Sequence, residues 1–281
     1  MKKKRIIPLA LVCALVLTLC IPQVNAFAMD VLSNFRVAEA KTITITLDDI
    51  SQMSAYAQQQ AAEFDGAEDS WDTEDFDAMD VQDHAETVPQ PLESISDFTA
   101  FSAGLPESLD SETMELYALE QQERTFTLED GSEVTVASSP MLLAKYDNAV
   151  FMATQGFSDN LTAQQKADLK EKLISLPFLT DNIRSQLQEI DPGTKDIYLP
   201  VVPGVSREAS IGGTTGYLYG MNELRGVAGA LPEGFSEELE DADTEELENV
   251  NLLIWTKDGV LYMLCGDMPE SELIAAAGSV R

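Results

Sequence analysis

Side chains able to do chemistry are sparse in this chain of 281 residues, and their spacing excludes more than it offers. There is one histidine, His84, set in an acidic stretch. A serine or cysteine nucleophile needs a neighbouring base to take its proton, and His84 stands far from any ordered Ser or Cys candidate. The chain contains no G-x-S-x-G, no H-E-x-x-H and no phosphate-binding G-x-x-x-x-G-K motif. Paired carboxylates could in principle hydrolyse a glycoside, but with 49 acidic residues any spacing arises by chance. No catalytic residue is assigned, and the chain reads as non-enzymatic.

Metal chemistry fares no better. Zinc takes several Cys or His ligands, whereas Cys13 and Cys20 belong to the leader and leave Cys265 as the only thiol beyond it. That count also excludes an internal disulfide, and Cys265 reads as a small buried strand residue. The stretch DSWDTEDFDAMD is rich in oxygen ligands, yet it lacks the D-x-D-x-D-G register and closing Glu of a calcium loop. The sequence therefore points to no metal and no cofactor.

What remains is apolar recognition. The chain closes with LLIWTKDGVLYMLCGDMPESELIAAAGSVR, in which Asp258-Gly259 separates two apolar runs. A tight two-residue turn needs positive φ at both central positions, and Asp-Gly supplies it, so a hairpin is expected. Its register places Trp255 opposite Tyr262 and Leu253 opposite Leu264 on one face, with Ile254 against Met263 and Leu252 against Cys265 on the other. A hairpin with one wet face alternates polar and apolar residues. Here both faces are apolar, so protein, membrane or a bound apolar ligand must cover the second. Trp255, Tyr262, Leu253 and Leu264 are the candidate ligand-binding residues.

The elements that must position this hairpin begin with a leader. MKKKRIIPLALVCALVLTLCIPQVNAFAMD has a basic start, an uncharged run and small residues near Ala26 and Ala28, the build of a signal peptide or an uncleaved N-terminal anchor over residues 1–28. The product is expected to be extracytoplasmic, secreted or anchored to the cell membrane, with membrane contact through that segment only. Loss of the leader removes four basic and no acidic residues, taking the formal charge from −32 to −36. Such a field repels nucleic acid and anionic headgroups, leaving an apolar ligand or an envelope protein as the expected partner.

Residues 29–56 should hold a first strand and a short helix: KTITITL alternates over 41–47, and Asp48-Asp49 offers a helix cap. Residues 57–96 read as an acidic flexible segment, because Glu63 to Glu86 carries eleven carboxylates and no Lys or Arg. An α+β domain is expected over 97–281. Within it, hairpins are expected about Glu129-Asp130-Gly131 and about Asp147-Asn148. A helix should start at Thr162 with Gln165 completing a capping box, and a second at Thr180. Strands follow at 197–202 and 216–219, then a second acidic run from Glu237 to Glu248 and a closing helix after Pro269.

VNAFAMDVLSNFRVAEAKTITI, LISLPFLTDNIRSQLQEID, IYLPVV and the closing hairpin resemble a group of bacterial extracytoplasmic proteins. Their C-terminal part is a domain of unknown function found in exported and anti-sigma-factor-like proteins, distantly similar to lipoprotein-sorting carriers. The resemblance covers about half of the chain in separate patches. It implies a curved antiparallel sheet, a half-barrel packed with a few helices, whose hollow can hold acyl chains in the carriers. It carries over no catalytic residue. Two functions follow from it and from the hairpin: a non-enzymatic binding or carrier-like module for an apolar or lipid-like ligand, or a membrane-associated regulatory or envelope-sensing protein with a fully packed core.

Overall fold

The computed structural model describes residues 40–64, 89–127, 132–194, 196–226 and 250–281. The leader, the Glu129-Asp130-Gly131 turn, the acidic stretch over 65–88, His84 and the Glu237 to Glu248 run lie outside the described residues. The described chain is α+β. Its strands are β1 (Ala40–Thr44), β2 (Gln90–Leu92), β3 (Glu115–Leu119), β4 (Glu123–Thr127), β5 (Glu133–Ser138), β6 (Met141–Lys145) and β7 (Ala149–Thr154). They continue with β8 (Phe157–Asp159), β9 (Ile197–Val201), β10 (Ser206–Ile211), β11 (Thr214–Gly220), β12 (Val250–Lys257) and β13 (Val260–Asp267). The helices are α1 (Leu47–Phe64), α2 (Ala163–Ile174), α3 (Asp181–Glu189), α4 (Met221–Gly226) and α5 (Glu270–Gly278).

Eight strands form one antiparallel sheet in the order β10-β11-β12-β13-β7-β6-β3-β2. Two of the expected hairpins, β12–β13 and β6–β7, lie at its centre, and β4 pairs with β5 in a separate sheet. Asp258 and Gly259 have φ of 52° and 76°, the mirror-image turn that matches strand twist. Trp255 pairs with Tyr262, Leu253 with Leu264, Ile254 with Met263 and Leu252 with Cys265. The β6–β7 hairpin likewise turns at Asp147-Asn148, closed by the Tyr146 N–H donating to the Ala149 carbonyl at 2.8 Å.

A three-stranded sheet, β4-β5-β8, repeats the order of β3-β6-β7 because each of its strands prolongs one of theirs. The chain breaks at Gln121-Gln122, at Pro140 and at Gly156. Proline cannot donate to the ladder and Gly156 has φ 88°, so pairing is interrupted there. Hydrogen bonds still cross the break, from Ser138 N to Gln122 O at 2.8 Å and from Ser139 N to Gly156 O at 2.6 Å.

One face of the large sheet carries the main core. Helix α5 packs over β10, β12 and β13, placing Leu273, Ala276 and Ala277 in the same apolar cluster as Trp255, Phe151 and Leu218. Beside it lie Phe98, Phe101 and Leu105 from the irregular segment before β3. That segment is latched to the C-terminus: Pro106 bridges Val280, the Ser108 N–H donates to Ser279 Oγ at 3.2 Å, and Gly104 lies directly on the Arg281 backbone. A Cβ on Gly104 would overlap the Arg281 carbonyl. Gly104→Ala is therefore expected to part the latch and cost about 1–3 kcal/mol, the range for forced overpacking, read as a lower urea midpoint at unchanged slope.

A second, smaller core joins Ile45, Leu173, Leu179, Ile183 and Leu187. Here the sequence expectations need correction. Strand β1 ends at Thr44 instead of running to Leu47, and it pairs in parallel with β9 outside the large sheet. The helix cap is Thr46, not Asp48-Asp49: Thr46 Oγ1 accepts from the Asp49 N–H at 3.1 Å, and Asp49 Oδ2 accepts from the Thr46 N–H at 2.8 Å. This is a capping box two to three residues earlier than expected. Helix α1 then runs to Phe64, past the Tyr56 boundary, and β2 at 90–92 joins the large sheet. Both ends of the 57–96 segment are thus regular, and the fold includes chain before residue 97. The caps at Thr162 with Gln165 and at Thr180 are as expected. Strands β3, β8 and β10 and helix α4 are additions.

Candidate functional site

The four candidate residues come together as expected, on the α5 side of β12 and β13. Trp255, Leu253 and Leu264 have no exposure and Tyr262 has 5%. The Trp255 and Tyr262 rings stack at 5.3 Å between centroids and 16° between planes, and Phe151 from β7 lies 5.8 Å from the Tyr262 ring. These separations match packed aromatic pairs. Side chains from α5 and the 95–114 segment complete the cluster, so protein covers this face. On the other face Leu252, Ile254, Met263 and Cys265 are also buried.

Two polar atoms sit in this core without a hydrogen-bond partner, Trp255 Nε1 and the Tyr146 hydroxyl. Burial pushes the Tyr146 hydroxyl up to about 12. Tyr262 is raised too, by burial and less by the Asp258 charge, against a hydrogen bond with the Gly104 backbone that lowers it. Both phenols stay neutral in the fold. The sign of the pH effect follows: a folded-state pKa above the unfolded value of 10.0 means stability is retained below that pH and lost as pH rises towards about 12. Alkaline urea titrations should show this loss, and Tyr146→Phe should reduce it. At neutral pH the same substitution should be neutral or stabilising, since it removes an unsatisfied buried hydroxyl.

No family model, characterised protein or solved structure matches the chain. The site must be judged on its own geometry. Cys265 is 1% exposed in the centre of the sheet, so its thiol should resist alkylation until the protein unfolds. Thiol labelling under native and denaturing conditions checks this. Among the described residues no group of three or more His, Cys, Asp or Glu could hold a metal ion. None of the described helices is long and apolar enough to cross a membrane.

Sequence reasoning missed the role of Asp49, the most heavily hydrogen-bonded carboxylate among the described residues. Asp49 is 3% exposed. Its Oδ2 accepts from Thr46 Oγ1 at 2.6 Å and Asn182 Nδ2 at 2.6 Å, and its Oδ1 accepts from the Thr180 hydroxyl. Burial alone would raise the carboxyl, but the bonds from Thr180, Thr46 and Asn182 outweigh it and hold the pKa below its ordinary value. Thr180 is itself the cap of α3, its Oγ1 accepting from the Ile183 N–H at 3.3 Å. One carboxylate therefore joins the starts of α1 and α3. No sequence signal could have found it, since Asp49 and Thr180 are 131 positions apart.

A cleft between α2 and α3 gathers Lys170 and Arg184. Both cations are engaged: Lys170 Nζ donates to the Gln188 and Ile190 carbonyls, and Arg184 to those of Ile174, Leu176 and Leu179. They satisfy open carbonyls at helix ends, a structural task.

Proposed function

We propose that the chain is a non-enzymatic extracytoplasmic interaction module, an envelope-sensing or regulatory protein with a packed core and no small ligand. The observation behind it is the burial of Trp255, Leu253 and Leu264 at zero exposure beneath α5, with Tyr262 stacked on Trp255. A carrier of the lipoprotein-sorting kind needs a hollow on that side of the sheet. Here Leu273, Ala276 and Phe98 share it with the rings. The shared breaks at Gln121-Gln122, Pro140 and Gly156 favour a sheet curved into a half-barrel, with α5 and the 95–114 segment on its concave side.

The basic and apolar leader supports export, with the folded part outside the cytoplasm and membrane contact through the N-terminal segment alone. The acidic charge supports an envelope protein as the partner and disfavours nucleic acid. The test is a fluorescent acyl-chain probe titrated into the folded protein. No saturable uptake is expected. Saturable uptake that disappears in Trp255→Ala would instead establish the carrier function.

A further inference from the structure

Resting on the interaction function just proposed, we infer that the sheet face opposite α5, at β3, β6 and β7, docks a basic amphipathic segment of a partner protein. The cross-strand register sets Leu119 beside Met141, and Tyr117 beside Leu143, which pairs with Met152. Met152 in turn pairs with Met263 of β13. Leu119, Met141, Tyr117, Leu143 and Met152 are all half-buried, in contrast to the fully buried Leu142, Ala144, Phe151 and Ala153 on the α5 side of the same strands. They belong to neither the Trp255 core nor the Ile45 core. The result is an apolar strip across neighbouring strands, with the flexible thioethers that let a surface adapt to varied apolar partners.

Charge selects the occupant. Glu115 is on the same face as Tyr117 and Leu119, and Glu120 and Glu123 follow at the end of β3, all three exposed. Lys145 is the cation of that register row, and Glu115 already holds it at 3.1 Å, with the Tyr117 hydroxyl donating to the same carboxylate. A second copy of the chain would bring a formal charge of −32 to the same surface, and the chain's own acidic runs would set carboxylate against carboxylate. A segment with Leu-like residues on one side and Lys or Arg on the other satisfies both the apolar strip and its acidic margin. Helix-in-groove recognition works on that pattern, with apolar anchors at helical spacing supplying affinity and the charges fixing orientation.

The experiment titrates the chain, as purified from expressing cells, with a synthetic Leu/Lys peptide amphipathic at helical spacing, followed by calorimetry. Two control peptides are used, the same composition scrambled to destroy the apolar face and an amphipathic Leu/Glu peptide. Saturable binding of the first alone is expected, weakened about tenfold or more by Leu143→Lys, as for loss of an interface anchor. Should Leu143→Lys fail to fold, the exposed Glu120→Lys gives the second arm, with weaker binding and a reduced salt dependence expected. Equal binding of the scrambled peptide, equal binding of the Leu/Glu peptide, or no binding at all would each overturn the inference. None of these results touches the packed-core function, which fails separately, on saturable uptake of the acyl-chain probe.

Discussion

Trp255→Ala is expected to cost roughly 3 to 5 kcal/mol of folding stability, among the largest effects a single substitution can have in this protein. The indole is wholly buried, stacked on Tyr262 and tilted against Phe151 at 6.4 Å. Its removal deletes apolar area and leaves a space that strands β12 and β13 cannot close, because their backbones are fixed by ladders on both sides. Urea denaturation followed by far-ultraviolet circular dichroism measures it. A loss below about 1.5 kcal/mol, the scale of a volume-conserving swap, would mean that the ring borders open space. Trp255→Phe should cost less, since Trp255 Nε1 has no hydrogen bond to lose.

The second large effect concerns Asp49. Replacing it with Asn keeps the volume but puts an NH2 donor where one carboxylate oxygen accepted, facing the donors of Thr46, Thr180 and Asn182. About 3 kcal/mol should be lost at neutral pH, the scale of charge-assisted hydrogen bonds together with a helix cap. The loss should depend on pH. A folded-state pKa below the unfolded carboxylate value means that ionised Asp49 contributes stability above the unfolded value. That contribution disappears as pH falls through the depressed folded value. Wild type and Asp49→Asn should therefore converge in acid and diverge towards neutrality in parallel urea titrations. A constant gap across the acid range would show that the carboxylate is not held ionised by this network.

How much of this was legible in the sequence varied with distance along the chain. The closing hairpin could be read to the residue, because Asp258-Gly259 fixes its turn and the turn fixes the register. Helices α2 and α3 were equally plain, since Thr162, Gln165 and Thr180 are local signals for local structure. Strand β10 was not: SREASI is an edge strand whose buried positions, Ser206, Ala209 and Ile211, do not alternate. Nor were the breaks at Pro140 and Gly156 readable, because a strand and its continuation past a break have the same period of two. The apolar character of both hairpin faces was evident, but their cover was not. Phe98, Phe101 and Leu105 reach the core from an irregular segment that has no period to detect.

The parallel pairing of β1 with β9, fastened by Asp49 and by Gln186 bonding both the amide and the carbonyl of Thr44, has a temporal consequence. These two bonds span 142 positions, so β1 leaves the ribosome long before β9 exists. At ordinary elongation rates of about 5–20 residues per second, the delay is on the order of 10 s. Through that interval Ile45 and the buried side of α1 have no partner, and the carboxylate of Asp49 remains in water. Local hairpins such as β6–β7 can close within microseconds of emerging. The small core must instead wait until β9 is complete at Val201, and through that interval the β1–α1 segment stays open to proteases or chaperones in the nascent protein.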